Sequence, residues 1–333
     1  MSVRAKAIIF VEERQVRLDE IELPALGEGQ VLVRTLFSGI SIGTEGWIFS
    51  KRYKNVQFPL VTGYQKTGVV ERVGPGVTSV GVGDTVFLRS TRIATQINSM
   101  WGGHTSYSVE EEAKLIPVPE NADPMDASML VMCAVGYHGA AEVMPIRAGE
   151  LVVVIGQGLI GQYAAQVSRL RGATVIATDV VDQRLEYSAT YSSDHIANPK
   201  RDDIGALVRQ IKPEGADAII DTSANETAIN ASFDWMKQRG GRYCLQGYYP
   251  ELTCLDLFTP HAREMTFYNP TNLTPEGMWE CMRLLAENKL VVGPLITHTA
   301  APEAAPRLYD LMMESPAECL AMVIDWRTAG NRQ

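Results

Sequence analysis

Residues 151–179 read LVVVIGQGLIGQYAAQVSRLRGATVIATD, and this stretch decides the fold of the chain. The apolar run Leu151–Ile155 is typical of a parallel strand that helices cover on both faces. Gly156, Gly158 and Gly161 then follow at the spacing G-x-G-x-x-G. The first glycine permits a tight turn, the second lets a pyrophosphate approach the backbone, and the third lets a helix pack closely on the strand. The spacing predicts a dinucleotide-binding βαβ unit.

The residues after the glycines fit the same unit. The alanine-rich segment Gln162–Leu170 predicts a helix that Gly172 ends, and Ala173–Thr178 predicts the second strand. Asp179 lies 23 residues after Gly156, where an acid binds the hydroxyls of the adenosine ribose. The alternative interpretation is a glycine turn that serves packing alone, with Asp179 as a surface acid.

The same acid bears on the choice of nucleotide. A 2′-phosphate about 4 Å from the carboxylate of Asp179 would be repelled by roughly 1–4 kcal/mol, so the sequence favours NAD over NADP. Amides at the start of the helix would bind the phosphates. The residues that we expect at the nucleotide are Gly156, Gln157, Gly158, Leu159, Ile160, Gly161, Asp179, Arg184, Thr222, Ser223, Gly247 and Tyr248.

The composition is that of a globular protein with room for two domains. The chain has 333 residues, of which 46% are hydrophobic and 21% are charged. Its net charge of −9 leaves no basic surplus for nucleic acid, which argues against such a partner. No apolar run approaches the roughly 20 residues of a membrane span, and the N-terminus meets charges too early for a signal peptide. We therefore expect a cytoplasmic protein whose five cysteines, which lack C-x-x-C spacing, are buried thiols.

Two architectures share the chain. The first 125 or so residues alternate short strands with turn signals, which predicts a compact β-barrel. From about Met132, strand and helix alternate, which predicts a doubly wound parallel sheet and the fold class α/β. Further predicted strands are Val31–Phe37, Gly68–Val73, Val82–Phe87, Ala216–Asp221, Tyr243–Leu245 and Ala321–Trp326. Further predicted helices are Gln183–Ser193, Glu226–Arg239, Glu276–Asn288 and Glu303–Met313.

A β-rich region followed by this fingerprint resembles the medium-chain dehydrogenase/reductase superfamily. Besides the fingerprint, the resemblance rests on GEGQVLVRTLFSGISIGTE (27–45), FPLVTGYQKTGVVERVGPGVTSVGVGDTVF (58–87), DHIANP (194–199) and LITH (295–298). It implies a GroES-like β-barrel catalytic domain, residues 1–132 and 271–333, and a Rossmann domain, residues 133–270, with the substrate cleft between them. It also implies a homodimer.

The zinc-binding members of this superfamily carry metal ligands that the chain does not repeat. By the resemblance, Ser41 or Ile42 stands at the cysteine position, Tyr64 at the histidine position and about Val131 at the third. The segment 89–110, where the family places a structural zinc lobe, has no cysteine. Zinc prefers thiolate, imidazole and carboxylate ligands, so we expect no metal and zinc-independent chemistry.

Without a metal, side chains must stabilise the oxygen at which a carbonyl forms. By the resemblance, Thr44 contacts the substrate oxygen and begins a proton relay, unless it caps a helix that starts at Glu45. Tyr64 points into the same cleft and donates to that oxygen, or fills the vacated metal space by packing. Glu45 acts as a base or holds a neighbouring Arg or Lys, and Ser41 is a weaker candidate of the same kind. His138 is a proton shuttle or a structural histidine, because imidazole titrates near neutral pH. The remaining histidines are predicted to be structural: His104, His195, His261 and His298.

The resemblance therefore predicts an NAD(H)-dependent, zinc-independent oxidoreductase that interconverts a secondary alcohol and a ketone. Within the superfamily, the chain resembles the bacteriochlorophyllide dehydrogenases in FSGISIGTE (37–45), FPLVTGY (58–64), LQGYYPE (245–251), LITH (295–298) and SPAECLAMVIDW (315–326). Those enzymes oxidise a 3-hydroxyethyl side chain to acetyl with NAD, which makes a chlorophyllide a candidate substrate. An NAD(P)H quinone or enoyl reductase and a catalytically inactive nucleotide-binding sensor are the alternatives.

Overall fold

The computed structural model describes residues 2–249 and 252–328, which form two compact units. The first unit contains the described residues up to Val131 and from Met282 onward, and the second runs from Met132 to Cys281. The last two residues of the LQGYYPE segment, Pro250 and Glu251, lie outside the described residues. In the described part of the chain, no helix combines the length and the apolar character that a membrane span requires.

Strands run through both units. In chain order they are β1 (Val3–Glu12), β2 (Gln15–Leu23), β3 (Gln30–Ile40), β4 (Leu60–Val61), β5 (Lys66–Val73), β6 (Thr85–Leu88), β7 (Asn98–Ser99), β8 (Tyr107–Glu111), β9 (Ile116–Pro117), β10 (Leu151–Ile155), β11 (Thr174–Thr178), β12 (His195–Ala197), β13 (Ala218–Asp221), β14 (Arg242–Leu245), β15 (Thr266–Tyr268), β16 (Ile296–Ala300) and β17 (Ala321–Asp325).

The α-helices, apart from the first, follow β9 in the chain. They are α1 (Ile42–Phe49), α2 (Pro124–Ala127), α3 (Leu130–Tyr137), α4 (Leu159–Leu170), α5 (Asp182–Tyr187), α6 (Ile204–Ile211), α7 (Glu226–Ser232), α8 (Phe258–Ala262), α9 (Pro275–Ala286) and α10 (Ala305–Glu314). Two segments, His138–Val143 and Ser188–Ser192, are π-helical.

The second unit is built on a parallel sheet with the strand order β12-β11-β10-β13-β14-β15. Its central strand β10 is buried at every residue, as the apolar run predicts. The chain moves outward from β10 through β11 and β12, then returns to the other side of β10 at β13 and moves outward again. The carboxyl ends of β10 and β13 therefore meet where the strand order reverses, which is where such sheets bind ligands. The predicted doubly wound sheet is confirmed.

A hydrophobic core on one face of this sheet holds the strands in place. It joins Val153, Ile176 and Ile219 of neighbouring strands to Phe233 and Tyr243. The rings of Phe233 and Tyr243 meet edge-on with centroids 5.3 Å apart, a favoured arrangement. Each fully buried aliphatic side chain contributes roughly 1.5–3 kcal/mol, so this core fixes the strand ends and the loops that follow them.

The irregular β-barrel that the sequence predicted for the first unit consists, in the described residues, of two open sheets that do not close. One sheet has the order β2-β1-β4-β7, and the other has the order β16-β17-β3-β5-β6-β9, with β8 also paired to β3. The long strand β3 changes partners along its length: residues 30–34 pair with β8, whereas residues 37–40 pair with β17. A pairing irregularity between Thr35 and Phe37 marks the change. Along one edge, β3 therefore pairs first with β8 and then with β17. Turn signals in the sequence act over a short range and do not reveal such pairing.

The two units divide at Cys281 and Met282, whereas the resemblance implied a boundary near residue 271. Helix α9 spans the division. Thr274, just before α9, donates through Oγ1 to Glu142 at 2.7 Å and accepts from the amide of Gly277 at 2.9 Å. These bonds keep the start of α9 with the second unit.

The predicted helix Glu226–Arg239 is shorter in the structure. Helix α7 ends at Ser232, and a 3-10 turn over residues 233–235 follows it. The next residues pair with Ala216, whose carbonyl accepts from the amide of Lys237 at 3.1 Å. This pairing takes a backbone donor that a longer helix would have used.

Candidate active site

The glycine turn after β10 has the geometry that a dinucleotide requires. Gly156 has a φ of +83°, a left-handed conformation that favours glycine. A Cβ on Gly161 would lie 1.9 Å from the carbonyl oxygen of Gly156, so only glycine lets helix α4 approach the strand this closely. A Cβ on Gly158 would have no atom within 4 Å. Packing therefore does not require Gly158, and the open space beside it suits a pyrophosphate.

Helix α4 begins directly after this open space. Gly158 occupies the N-cap position and has no side chain to cap the helix, and Leu159 and Ile160 form the first turn. Amides at a helix start lack partners within the helix and carry a partial positive charge. Together with the space at Gly158, they fit the phosphates of a dinucleotide.

Gln157 and Thr222 brace the turn from the inside. Gln157 is fully buried; its Nε2 donates to the carbonyl of Val154 at 3.0 Å, and its Oε1 accepts from Ser188 Oγ at 3.0 Å. Thr222 Oγ1 donates to the carbonyl of Gly156 at 2.9 Å. The side chains of both residues, which the sequence placed at the nucleotide, therefore hold the turn in shape.

Asp179 follows β11 and is only 8% exposed. Its Oδ2 accepts from the amide of Gln157 at 2.6 Å, and its Oδ1 accepts from the amide of Val181 at 2.8 Å. These bonds fix the carboxylate beside the glycine turn and leave a lone pair on each oxygen for a ribose hydroxyl. Arg184 Nη1 lies 3.9 Å from Oδ2, so a cation is also within reach of this site.

The loops after β13 and β14 complete the carboxyl edge of the sheet. Asp221 is fully buried and accepts from Ser223 Oγ at 2.6 Å and from the hydroxyl of Tyr249; burial raises the pKa of this carboxyl. Ser223 therefore points back at Asp221. Gly247 follows β14, and the next side chain, Tyr248, is 55% exposed. The residues of this edge fit a bound dinucleotide, with Tyr248 as an accessible aromatic side chain.

Three hydroxyl-bearing side chains of the first unit meet at the start of helix α1, and we call Ser41, Thr44 and Tyr64 the hydroxyl cluster. Helix α1 begins at Ile42, so Ser41 holds the N-cap position and Thr44 lies inside the helix. Thr44 is therefore not the cap of a helix that starts at Glu45. The side chain of Ser41 makes no capping bond. Its Oγ accepts from the hydroxyl of Tyr64, which lies 3.3 Å from Thr44 Oγ1.

Close packing fixes the ring of Tyr64. The preceding Gly63 has a φ of +90°, and a Cβ there would lie 2.6 Å from the ring of His104. The ring of Trp101 meets that of Tyr64 edge-on, with centroids 4.9 Å apart. Tyr64 is 8% exposed as a result.

Burial also sets the protonation state of Tyr64. It raises the pKa of the phenol above the ordinary value of 10.0, an effect that hydrogen bonds from the hydroxyl cluster partly offset. The charge of Glu45 raises this pKa further, and that of Arg89 lowers it. The phenol therefore keeps its proton at neutral pH and acts as a hydrogen-bond donor.

Glu45 is fully buried, and its partner is not the Arg or Lys that the sequence suggested. Its Oε2 lies 2.9 Å from His104 Nε2 and accepts from the hydroxyl of Tyr309 at 2.6 Å. Its Oε1 accepts from the amide of Ser41 at 2.8 Å. Three donors thus satisfy this carboxylate, as a buried charge requires.

His104 extends this network to two further buried side chains. Its Nδ1 lies 2.8 Å from Ser38 Oγ, which also accepts from Trp326 Nε1 at 2.8 Å. We call Glu45, His104, Tyr309, Ser38 and Trp326 the carboxylate cluster. Sequence reasoning gave no role to Ser38, Tyr309 or Trp326 and read His104 as structural. His104 and Tyr309 are 59 and 264 residues from Glu45, and no local spacing signals such contacts.

His138 belongs to the second unit. Its Nδ1 lies 2.5 Å from Glu142 Oε2, within the π-helical turn, and Glu142 Oε1 accepts from Thr274 Oγ1. This local network gives His138 a structural partner. Its role as a proton shuttle stays a prediction.

The residues that the resemblance places at the zinc positions do not offer the thiolate, imidazole or carboxylate ligands that zinc prefers. Tyr64 is engaged with Ser41, and the side chain of Val131 is apolar and buried. Glu45 and His104 bind each other directly. Among the described residues, no three His, Cys, Asp or Glu side chains lie together where they could hold a metal ion. No disulfide forms among the described cysteines, and Cys254 is exposed, contrary to the expectation of buried thiols.

Two family models match the chain. The model described as "Alcohol dehydrogenase GroES-like domain" matches residues 27–120, in the first unit. The model described as "Zinc-binding dehydrogenase" matches residues 160–287, most of which lie in the second unit. The first match lies within the predicted catalytic domain, whereas the second begins inside the predicted Rossmann domain and extends past residue 270 to residue 287.

Known relatives cover nearly the whole chain. An alcohol dehydrogenase of Geobacillus stearothermophilus is 26% identical over 303 residues, which cover 85% of this chain and 89% of the relative. The 2-desacetyl-2-hydroxyethyl bacteriochlorophyllide A dehydrogenase of Cereibacter sphaeroides is 24% identical, with coverage of 98% and 99%. Among solved structures, one from Sinorhizobium meliloti that is described as a "putative zinc-binding dehydrogenase" bound to NADP has a TM-score of 0.84 at 19% identity, with coverage of 97% and 99%. By its two domain matches and its fold, the chain belongs to the medium-chain dehydrogenase/reductase superfamily.

Proposed function

We propose that this chain is an NAD(H)-dependent, zinc-independent oxidoreductase that interconverts a secondary alcohol and a ketone. The observation that carries the proposal is the hydroxyl cluster, in which the buried phenol of Tyr64 is bonded to Ser41 and Thr44. The nucleotide fit of the second unit supports the choice of cofactor. In this proposal residues 1–132 and 271–333 form the catalytic domain, and residues 133–270 form the nucleotide domain.

The reaction separates a hydride from a proton. NAD, when bound, supplies the hydride acceptor. Because Tyr64 stays protonated and donates to Ser41 Oγ, the hydroxyl of Ser41 is free to donate its own proton to the substrate oxygen and to stabilise the negative charge that develops there. Ser41 and Thr44 can each give one proton and take one, so a proton from the alcohol can pass along the hydroxyl cluster towards solvent.

The preference for NAD rests on Asp179. Its carboxylate is fixed by two backbone amides beside the glycine turn. A 2′-phosphate would meet this charge, whereas ribose hydroxyls can donate to it.

An NADPH-dependent quinone or enoyl reductase is a second candidate. Arg184, 3.9 Å from the carboxylate of Asp179, favours it because a guanidinium suits a 2′-phosphate. The Sinorhizobium relative was solved with NADP. A marked preference for NADPH in turnover would support this candidate over the first.

The substrate proposed here is a secondary alcohol, with the 3-hydroxyethyl group of a chlorophyllide as its first specific form. The Cereibacter relative, which carries that substrate in its name, matches 98% of the chain. The exposed ring of Tyr248 would suit a flat ligand. We further expect the protein to be a cytoplasmic homodimer. Analytical ultracentrifugation of the purified protein would test its oligomeric state.

Turnover of a substrate panel by wild type and Tyr64→Phe tests the function. The panel contains secondary alcohols, ketones, quinones and a hydroxyethyl chlorophyllide, each with NAD(H) and NADP(H). We expect oxidation of an alcohol with NAD and a fall in kcat of about 100-fold in Tyr64→Phe, with the Kd of NAD unchanged. Tight NAD binding without turnover of any panel member would instead identify a nucleotide-binding sensor.

A further inference from the structure

The carboxylate cluster lies directly behind the hydroxyl cluster and makes no contribution to the chemistry described above. We propose that Glu45 is a positioning residue, which fixes Ser41 and thereby orients the hydroxyl cluster towards the substrate oxygen. This inference rests on the proposed function, because the function assigns the hydroxyl cluster to that oxygen.

Because Glu45 is buried, moving its carboxylate away from its hydrogen-bond donors would be energetically unfavourable. An isolated carboxylate away from water is strongly disfavoured, and only donors that aim at it offset the loss of hydration. Glu45 receives such donors from the Ser41 amide, His104 and Tyr309. Movement of Glu45 would leave all three donors buried without an acceptor, so the carboxylate has one well-defined place.

The donor and acceptor groups of the neighbouring side chains determine the direction of the hydrogen bonds around His104. The indole of Trp326 has no acceptor, so its N–H donates to Ser38 Oγ. The carboxylate of Glu45 can only accept, so His104 donates to it through Nε2, and in the tautomer with one ring proton Nδ1 accepts from the hydroxyl of Ser38. This arrangement satisfies every polar atom in the chain of bonds from Trp326 to Glu45.

Glu45 acts on the hydroxyl cluster through the backbone and through its charge. Its Oε1 holds the Ser41 amide, while the Oγ of the same residue accepts from Tyr64. Its negative charge favours the protonated phenol of Tyr64, against the opposite effect of Arg89. The bond to the Ser41 amide fixes the direction of the hydroxyl cluster, and the charge keeps the phenol of Tyr64 protonated as a donor.

Helix capping is the competing explanation. Glu45 lies in the first turns of α1 and bonds to the amide of the N-cap residue, which resembles a capping box. Capping alone does not require His104, Tyr309 or a charge beside Tyr64. A variant that keeps the cap and removes the charge therefore separates the two explanations.

Glu45→Gln is that variant, because its carbonyl oxygen can still accept from the Ser41 amide. We expect kcat to fall about tenfold with little change in KM. We also expect the phenol of Tyr64 to ionise at lower pH, since the charge that raises its pKa is gone. The ultraviolet absorbance of phenolate, as the difference between each protein and its Tyr64→Phe counterpart, reports that ionisation without turnover.

Ser232→Ala is the matched control. It removes a buried serine–tyrosine hydrogen bond of the second unit, in which Ser232 Oγ lies 2.9 Å from the hydroxyl of Tyr243. We expect kcat and the Tyr64 titration to match wild type. An unshifted Tyr64 titration in Glu45→Gln, or a loss confined to KM, would overturn the proposal.

Two variants of His104 keep the test decisive if Glu45→Gln does not fold. His104→Gln retains a donor for Glu45 and an acceptor for Ser38, whereas His104→Leu retains neither. We expect His104→Gln to keep most of the wild-type kcat and His104→Leu to lose about tenfold; equal activity in the two variants contradicts the proposal. If no alcohol is turned over but the Tyr64 titration shifts in Glu45→Gln, the proposed function fails while the effect of Glu45 on Tyr64 stands.

Discussion

At the scale of single residues, the structure separates side chains that hold the site from side chains that can meet a ligand. The sequence placed Gln157, Thr222 and Ser223 at the nucleotide, and all three lie at the carboxyl edge of the sheet. Their side chains bond to the protein. Residue type and spacing predicted where they lie, but the direction of each side chain depends on neighbours such as Ser188 and Asp221.

Asp179→Ala should weaken NAD more than NADP. The substitution removes the acceptor for the ribose hydroxyls and also the repulsion of a 2′-phosphate, so we expect about a tenfold rise in the Kd of NAD and a smaller change for NADP. Fluorescence titration with NADH and NADPH measures both constants. An equal loss for the two nucleotides would remove Asp179 from the ribose.

The rate of ketone reduction should hold up to unusually high pH. In the proposed mechanism, reduction draws on the proton that Tyr64 donates to Ser41, and burial raises the pKa of this phenol above 10.0. We therefore expect kcat at pH 10 to stay above about half of its maximum, because the protonated form persists until the pH passes the raised pKa. A fall in kcat that is already complete below pH 9 would show that another group titrates in the rate-determining step.

At the scale of elements, sequence pattern predicted the strands better than the ends of helices. The strand Leu151–Ile155 has the predicted bounds. The predicted helix Gln183–Ser193 becomes the short α5 followed by a π-helical segment. There Ser188 Oγ lies 3.0 Å from the carbonyl oxygen of Arg184 and accepts from the Nε2 of Gln162, a side-chain contact from α4 that helical periodicity does not contain.

Two glycine variants should separate the folding and binding roles of the turn that joins β10 to α4. Gly161→Ala places a Cβ 1.9 Å from a carbonyl oxygen and should lower stability by about 1–3 kcal/mol. Gly158→Ala meets no atom within 4 Å, so its unfolding free energy should stay within about 1 kcal/mol of wild type. The same Cβ fills the space for the pyrophosphate and should weaken NAD at least about tenfold. Denaturant unfolding measures the stability of each variant, and titration with NADH measures its affinity for the nucleotide. Tight NADH binding by Gly158→Ala would contradict a pyrophosphate site beside Gly158.

At the scale of the whole molecule, each of the two units carries residues of the function that we propose. The second unit contains the glycine turn after β10, at the point where its strand order reverses. The first unit contains the hydroxyl and carboxylate clusters. The superfamily fold is retained, while at the positions that the resemblance assigns to zinc ligands Tyr64 is hydrogen-bonded to Ser41 and Val131 is apolar and buried. Fold and metal content are separate properties, because the ligands are a few side chains on a common scaffold.

Elemental analysis of the purified protein should find much less than one zinc per chain. The residues that the resemblance places at the ligand positions are Ser41 or Ile42, Tyr64 and about Val131, and none of them offers a thiolate, imidazole or carboxylate to the metal. Incubation with a chelator should leave activity unchanged. One zinc per chain, with activity lost to the chelator and restored by zinc, would refute the metal-free mechanism.

The sequence alone determined the nucleotide half of this protein, because its signals are local. A buried strand, three glycines and an acid follow one another within residues 151–179, and each acts on its chain neighbours. The tertiary structure alone decided the surroundings of Glu45. Its partners His104 and Tyr309 come from distant segments, and Trp326 joins Ser38 across 288 residues. Contacts of that kind arise only when the sheets of the first unit bring such segments together, so no spacing in the sequence encodes them.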